Sequence, residues 1–253
     1  MLVCIDVGNT NTVLAAFEGE KIEHSWRVRT DARMTADELA LLYRGLLADV
    51  SVSVTGLAIC STVPAVLREL RTMLGRYFAQ VPTVIVEPGI KTGVQLAIDN
   101  PKEVGTDRVM NTLATHHLFG GPAIVVDFGT STNFDVVGPA GEFMGGALAP
   151  GIEISVDALA ARAAQLRKVE LVKPRSVIGK NTVESLQAGI IYGFAGQVDG
   201  IVREIGATLG VAPKAVVATG GLAPLVIENC ASITNHEPNL TLIGLRLVFE
   251  KNS

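Results

Sequence analysis

The sequence contains few cysteines, few aromatic residues and no metal motif built from cysteine or histidine. Among its 253 residues there are 3 cysteines and 1 tryptophan. Cys4, Cys60 and Cys230 are far apart, odd in number and without a CxxC spacing, which argues against a disulfide framework and a zinc site. We interpret them as buried thiols in a reducing cytoplasm. The 4 histidines lack metal-ligand spacing as well, and the adjacent pair His116-His117 predicts helix-surface or helix-end positions.

The sequence also lacks an excess of charge of one sign and any long uncharged apolar run. With 21 Lys+Arg against 25 Asp+Glu, the net charge of −4 argues against nucleic acid as a main partner and leaves room for an anion in a locally positive pocket. No stretch of about 18 residues is free of charged and turn residues, so no membrane span is predicted. The apolar run Leu2–Ile5 has no basic region before it, so no signal peptide is predicted. A hydrophobic fraction of 48% excludes disorder and suits one large domain or two ordinary ones.

An internal repeat organises what the sequence does contain. An apolar strand, the polar loop Asp6–Thr12 and a second apolar strand recur, about half a chain later, around the loop Asp127–Thr132. The repeat predicts an α/β fold duplicated into two lobes, residues 1–117 and 118–253, with a cleft between them.

Hydrophobic periodicity predicts the elements of each half. The first half is predicted to contain three strands followed by alternating helices and strands, with Thr35 and Glu38 forming a capping box before its first helix. The second half is predicted to contain three strands, then two helices, a late strand and a terminal helix. The predicted ranges of these later elements are about 151–168, 183–209, 216–219 and 241–250.

Each repeat carries a loop suited to binding phosphate. Gly8, like its counterpart Gly129, permits a tight turn and leaves no side chain between the backbone and a ligand. Backbone N–H groups and polar side chains of such a loop donate to phosphate oxygens, whereas Asp6 is acceptor-only and needs a cation between itself and a phosphate. This combination indicates Mg²⁺ held near the phosphates, largely through water. Two such loops predict a polyphosphate bound from both lobes.

Two further segments each admit two interpretations. Thr219-Gly220-Gly221, after the late strand, suits the close approach of a nucleoside base, with a flexible helix-start turn as an equal alternative. The charged segment Asn100–Arg108 precedes an apolar helix, so Thr106 or Asp107 can simply cap that helix. In a phosphotransferase the same Asp107 takes the proton of an attacking alcohol, and Arg108 binds a carboxylate or phosphoryl oxygen with two hydrogen bonds.

Taken together, the motifs resemble those of the type III pantothenate kinases, a family of the acetate and sugar kinase/heat-shock-cognate/actin superfamily. The matching motifs lie, in chain order, at Asp6–Thr12, Asn100–Arg108, Asp127–Thr132, Gly145–Gly151 and Gly179–Thr182. The resemblance spans essentially the whole chain. It implies an actin-like, ribonuclease H-like fold and ATP-dependent phosphorylation of the 4′-hydroxyl of pantothenate, the first step toward coenzyme A.

The resemblance also implies roles for individual residues. Asp107 resembles the general base of the family, and Asp127 resembles the ligand of the monovalent cation, K⁺ or NH₄⁺, that the family requires. Asp6 is implied to hold Mg²⁺ through water, and the protein is implied to be a homodimer with its substrate site near the subunit interface. The implied ATP site comprises Asp6, Val7, Gly8, Asn9, Thr10, Asn11, Thr12, Val13 and Thr130. The implied pantothenate site comprises Gly105, Thr106, Asp107, Arg108, Arg162 and, from the other lobe, Thr182.

Three positions depart from the family pattern, and two other functions fit the superfamily loops. Ile98 stands where many members have Tyr, which makes one contact to pantothenate apolar or absent; Thr106 replaces a frequent Ala, and Asn133 a common Thr. The other functions are a non-catalytic nucleotide-binding accessory factor in transcriptional regulation and a kinase of another small alcohol. The charged residues that the reaction needs are all present, which favours the pantothenate kinase.

Overall fold

A computed structural model describes residues 1–48, 53–162 and 169–253 of the protein, which contain two five-stranded sheets. The elements of the first half are β1 (Leu2–Val7), β2 (Asn11–Glu18), β3 (Lys21–Arg29), α1 (Ala36–Leu47), β4 (Gly56–Ser61), α2 (Pro64–Tyr77), β5 (Thr83–Ile85) and α3 (Thr106–Phe119). Those of the second half are β6 (Ala123–Phe128), β7 (Ser131–Val137), β8 (Phe143–Pro150), α4 (Ile152–Arg162), α5 (Thr182–Leu209), β9 (Ala215–Thr219), β10 (Asn235–His236) and α6 (Leu240–Asn252). The predicted elements are all present, β10 is an addition, and residues 163–168 of the predicted helix lie outside the described residues.

The two sheets share one topology. The first has the strand order β3-β2-β1-β4-β5, in which β3, β2 and β1 are antiparallel neighbours and β4 and β5 run parallel to β1. The second has the order β8-β7-β6-β9-β10 with the same directions. Asp6 is the penultimate residue of β1, and Asp127 is the penultimate residue of β6. The repeat in the sequence is therefore a repeat of structure, and the predicted duplicated α/β fold is confirmed.

The first sheet sorts its side chains onto two faces. Val3, Ile5 and Val7 of β1 pack with α1 and α2 in one apolar core. Because side chains alternate along a strand, Cys4 and Asp6 lie on the opposite face, against which α6 packs. Asp6 thus stands at the end of a covered face and not on an open surface.

Residues at the first turns of three helices explain where those helices begin. At the head of α1 the Glu38 N–H donates to the Thr35 hydroxyl and the Thr35 N–H donates to the Glu38 carboxylate at 2.8 Å, which confirms the predicted capping box. Helix α2 begins with Pro64, which has no N–H group. This suits the first turn of a helix, where backbone N–H groups have no partner within the helix. Helix α5 begins after Asn181, whose side chain accepts the Glu184 N–H at 2.9 Å. Among the helices of the described residues, none combines the length and the apolar character needed to cross a membrane.

The described residues form two compact units that differ in composition from the predicted lobes. The first unit comprises Met1–Val94, Asn100–Ala114 and Leu240–Ser253, and the second comprises Gln95–Asp99 and Thr115–Asn239. Helix α6 belongs to the first unit because it packs closely there: a side chain at Gly56 would collide with Phe249, and one at Gly244 with the backbone of Met110. The units therefore differ from the boundary at residue 117 in the placement of α6, of Gln95–Asp99 and of residues 115–117. The division into residues 1–117 and 118–253 stays a prediction.

The second unit has its own core. Ile124, Val126 and Phe128 of β6 are buried in one apolar cluster with Val198 and Val202 of α5. The helix thus covers one face of the second sheet, and Asp127, which alternates with these residues, projects from the other face.

The cysteines and the histidine pair lie close to their predicted environments. Cys4 and Cys60 are buried, Cys230 is half-buried, and all three are free thiols. His116 is half-buried and His117 is exposed, both in the last turn of α3. The prediction of buried thiols holds for the first two cysteines and is only partly met by the third, which packs at the edge of the second core.

Candidate active site

Each Asp-x-Gly loop is closed by a hydrogen bond from its glycine N–H, but the two turns differ in length. In the first unit the Gly8 N–H donates to the Asn11 carbonyl at 3.0 Å, and in the second unit the Gly129 N–H donates to the Ser131 carbonyl at 3.0 Å. A Cβ at Gly8 would lie 3.1 Å from the same Asn11 oxygen, so the turn favours glycine. The loops therefore share a closing glycine N–H donor, whereas the accepting carbonyl lies three residues ahead in the first loop and two residues ahead in the second.

The predicted ATP-binding run Asp6–Val13 contains residues of two kinds. Asn9 and Thr10 are exposed at the tip of the turn. The side chains of Val7 and Thr12 are buried, so these residues offer a ligand only their backbone and otherwise shape the loop. The surface presented to a ligand is thus mainly backbone plus two short polar side chains, which suits phosphate oxygens.

Asp6 lies in an environment that disfavours its charge. Burial, together with the negative charge of Asp107, raises the pKa of Asp6 to about 7, and a hydrogen bond from the Cys60 thiol to Asp6 Oδ1 at 3.2 Å acts in the opposite direction. Two carboxylates of the first unit are therefore close enough to repel one another. Oxygen donors in this arrangement fit Mg²⁺, whose charge removes the repulsion.

Asp107 is folded back at the start of α3. Its Oδ1 accepts the Arg108 N–H at 2.9 Å and occupies the space where a Cβ at Gly105 would stand. Burial raises the pKa of Asp107 above its usual value, and the N–H and guanidinium of Arg108 limit that rise. Gly105 is thus needed for the position of the carboxylate. Asp107 lies in the first turn of α3 and close enough to Asp6 for their charges to interact, and its roles as a cap or as a general base stay predictions.

Asp127 is packed in a similar way in the second unit. It pairs with Thr219 across β6 and β9, and a side chain at Gly220 would collide with its Oδ1 and with the Phe128 carbonyl. Gly220 has a φ of 88°, in the left-handed region. The glycine predicted to admit a nucleoside base therefore also makes room for the Asp127 carboxylate.

The glycines of two motifs have packing roles in the second unit. A side chain at Gly151 would collide with the carbonyl of Thr130, an exposed residue at the tip of the second loop. One at Gly179 would collide with the first turn of α5, where Thr182 is exposed. Arg162, at the end of α4, is exposed too. The structure thus brings Asp6, Asp107 and Arg108 together in the first unit, and it places Asp127, Thr130, Arg162 and Thr182 in the second.

The three departures from the family pattern have distinct surroundings. Ile98 is half-buried, with its Cγ2 3.5 Å from where a Cβ at Gly145 would be. Asn133 accepts the Ser131 hydroxyl at 2.6 Å and so supports the second loop. The Thr106 hydroxyl is buried and has no hydrogen-bond partner among the described residues.

A groove of the second unit lies apart from the predicted site residues. It has a volume of about 620 Å³ and runs along α5, lined mainly by apolar atoms and by residues such as Met144, Gly200 and Ile201. None of the predicted site residues lines it. Its size therefore says nothing about the phosphate loops.

Two residues next to the site have no strong signal in the sequence. Cys60 is identifiable only as a buried thiol, yet it donates to Asp6. Thr30, one residue after β3, donates to the carbonyl of Gly8 at 2.8 Å. Knowledge of the strand pairing of β1 with β4, and of β2 with β3, is required to find either contact.

Comparisons with known proteins agree with these motifs. The family model for type III pantothenate kinase matches residues 2–204. The protein named type III pantothenate kinase from Salinispora arenicola is 69% identical over 252 residues, covering 100% of each chain. The protein of the same name from Frankia alni is 68% identical, again over 100% of both.

Solved structures of low identity share the fold. A conserved putative Baf family transcriptional activator from Campylobacter jejuni superposes with a TM-score of 0.63 at 15% identity, covering 99% of this chain and 98% of that one. A ROK hexokinase from Thermus thermophilus superposes with a TM-score of 0.57 at 15% identity, covering 100% of this chain and 99% of that one. The sheet topology, the paired loops and the full-length matches lead to one conclusion: the chain belongs to the type III pantothenate kinase family.

Proposed function

We propose that this protein transfers the γ-phosphoryl group of ATP to the 4′-hydroxyl of pantothenate, the first step of coenzyme A biosynthesis. Family membership over the whole chain carries the assignment of the reaction. The single observation that carries the assignment of the site is the pair Asp6 and Asp107, two carboxylates of one unit whose pKa values are both raised by burial.

In this proposal Asp107 is the general base. A carboxylate with a raised pKa is a stronger base than an exposed one and accepts the proton of the 4′-hydroxyl more readily as that oxygen attacks the γ-phosphorus. Arg108 binds the carboxylate of pantothenate, Gly105 and Thr106 line the same segment, and Thr182 and Arg162 complete the substrate site. The buried Thr106 hydroxyl has no partner among the described residues and is suited to hydrogen-bond a polar group of the substrate.

ATP is proposed to bind through its phosphates to the loop Asp6–Val13 and to Thr130. Backbone N–H groups of the two turns donate to phosphate oxygens, which costs little reorganisation because both turns are closed by internal hydrogen bonds. Asp6 holds Mg²⁺ through water, and the ion, when bound, neutralises charge on the transferring phosphoryl group. The carboxylate oxygens of Asp6 can accept hydrogen bonds from the waters around such a cation, and the charge of the cation offsets the repulsion between Asp6 and Asp107.

Asp127 is proposed to bind the monovalent cation, K⁺ or NH₄⁺. Asp127 Oδ1 and the Phe128 carbonyl oxygen converge on Gly220, and oxygen atoms of this kind are the ligands that such a cation takes. We further propose that the protein is a cytoplasmic homodimer, with neither nucleic acid nor membrane as a partner. Free thiols at Cys4 and Cys60 suit a reducing compartment.

The test is a direct assay of the product. Purified protein is incubated with ATP, Mg²⁺ and pantothenate in K⁺ and, separately, in Na⁺, and phosphopantothenate is detected by mass. We expect product that depends on K⁺. Folded protein that binds ATP and forms no product in any cation would contradict the reaction, and transfer to a different alcohol in a substrate panel would correct the substrate.

A further inference from the structure

Thr30 holds the first phosphate loop from behind. Its hydroxyl donates to the Gly8 carbonyl at 2.8 Å, and its N–H donates to the Thr10 carbonyl at 3.0 Å. Its hydroxyl oxygen also lies 2.9 Å from the hydroxyl of Thr12. One residue that directly follows β3 is therefore hydrogen-bonded to three positions of the loop.

The direction of the hydrogen bond between the Thr12 and Thr30 hydroxyls follows from the single proton that each hydroxyl carries. A threonine hydroxyl has one proton, and that of Thr30 is used on the Gly8 carbonyl. The bond between the two hydroxyls must then run from Thr12 to Thr30. Thr12 is only 4% exposed, so its hydroxyl has little access to water and depends on this acceptor.

These contacts determine which way the peptide groups of the loop face. In a trans peptide the carbonyl and the following N–H point in opposite directions. With the Gly8 carbonyl directed at Thr30, the Asn9 N–H faces the opposite side, and with the Thr10 carbonyl directed at Thr30, the Asn11 N–H does the same. Thr62 acts similarly on Val7, the residue before Gly8, because the Thr62 N–H donates to the Val7 carbonyl at 3.0 Å.

We propose that Thr30 is a positioning residue for nucleotide phosphates: it turns the carbonyls of the Gly8–Thr10 loop inward so that the loop N–H groups face the ligand. This inference rests on the proposed function of the loop. It assigns to Thr30 no contact with the substrate itself. Its effect is therefore on the binding of nucleotide and not on the binding of pantothenate.

The test uses Thr30→Val, which keeps the shape of the side chain and removes the hydroxyl, and Thr30→Ser, which keeps the hydroxyl. The probe is Mg·ADP, titrated by calorimetry in the absence of pantothenate. We expect the dissociation constant to rise about tenfold in Thr30→Val, as the loss of a hydroxyl bond to a buried carbonyl predicts, and to return close to the wild-type value in Thr30→Ser. Hydrogen exchange of the loop amides should be faster only in Thr30→Val.

A matched control is Thr234→Val. The Thr234 hydroxyl accepts the Val216 N–H at 2.9 Å and lies 2.7 Å from Asn235 Oδ1, to which it donates. Thr234 is more exposed than Thr30 and belongs to the second unit, whereas Thr30 belongs to the first. Thr234→Val should lose stability without a change in Mg·ADP affinity. In steady-state kinetics, Thr30→Val should raise the KM for ATP and leave the KM for pantothenate unchanged.

The outcomes separate the two proposals. Unchanged Mg·ADP affinity in Thr30→Val, or equal weakening in Thr30→Ser, would overturn the assignment of Thr30. Wild-type protein that binds Mg·ADP, loses affinity in Thr30→Val and still fails to phosphorylate pantothenate would support Thr30 and contradict the proposed reaction. Wild-type protein that binds no Mg·ADP would overturn both.

Discussion

The thiol of Cys60 donates a hydrogen bond to Oδ1 of Asp6 over 3.2 Å, where β4 and β1 pair side by side. Burial, and then the charge of Asp6, raise the pKa of Cys60 well above its usual value, so the thiol stays protonated and remains a donor. The contact therefore orients one oxygen of Asp6 at all pH values of interest.

This contact predicts a selective effect of removing the thiol. Cys60→Ala should raise the Mg²⁺ concentration needed for half-maximal activity about three- to tenfold, the value of one hydrogen bond to a charged group. Cys60→Ser restores a donor and should recover much of the loss. Cys4→Ala is the control. Cys4 is as buried as Cys60 and lies on the same face of β1 as Asp6, but the thiol that donates to Asp6 among the described residues is that of Cys60. Equal responses at the two positions would show a packing effect alone.

Replacing Asp107 by Asn should abolish most turnover. A general base contributes about 10²- to 10⁴-fold, and the amide cannot accept the proton. The variant should keep its far-ultraviolet circular dichroism and its affinity for Mg·ADP. Asp37→Asn, which changes an exposed carboxylate of α1 that is 60% accessible, serves as the control and should keep full turnover. Turnover within a few-fold of wild type in Asp107→Asn would remove it from the role of base.

The raised pKa of Asp6 predicts an unusual dependence of stability on pH. The folded protein holds this proton up to a pH of about 7, against an ordinary value of 3.8, so the free energy of unfolding falls as the pH rises between these values. Asp6→Asn has no such titration and so does not lose stability over this pH range. In metal-free buffer it should be more stable than wild type at pH 8 by of order 1–4 kcal/mol, with little difference at pH 4.

Thermal unfolding checks this result. A gain of 1 kcal/mol corresponds to about 2–4 °C in Tm for a chain of this size. Saturating Mg²⁺ and ATP should reverse the order of the two proteins, because the bound cation stabilises the ionised carboxylate. Greater stability of wild type than of Asp6→Asn at pH 8 without metal would contradict the environment described for Asp6.

Gly220→Ala should impair the response to K⁺. The added methyl group occupies the space of Asp127 Oδ1, so the carboxylate must move. We expect activity at limiting K⁺ to fall about tenfold or more, in the range seen when groups that orient a metal ligand are altered. Gly210→Ala is a matched control, because Gly210 also has a positive φ, of 68°, and a Cβ there meets no atom within 4 Å. If both variants respond to K⁺ as wild type does, Asp127 is not the cation ligand.

The duplication was predictable from sequence because its signals are local. An apolar strand that ends in Asp-x-Gly is visible within about ten residues, and the capping box of Thr35 and Glu38 depends on neighbours three positions apart. Such features depend on a short stretch of chain, so they can be predicted without knowing which distant segments meet. The structure confirms both of them.

Contacts between distant segments were not predictable in the same way. The placement of α6 depends on close packing of Phe249 at Gly56, about three quarters of the chain away. The role of Thr30 depends on the register that sets Asn11 opposite Arg29. The β2–β3 pairing includes a register shift between Ala16 and Phe17, which alternation of apolar residues does not predict. The terminal helix has the same periodicity whichever sheet it covers.

The position of α6 also determines when each unit can be completed during synthesis. All residues of the second unit, up to Asn239, are translated before α6 begins. The strands of the first sheet are translated well before α6, the helix that covers one face of that sheet. Because domains fold as their residues become available, the first sheet is expected to wait with Cys4 and Asp6 uncovered until α6 has been synthesised.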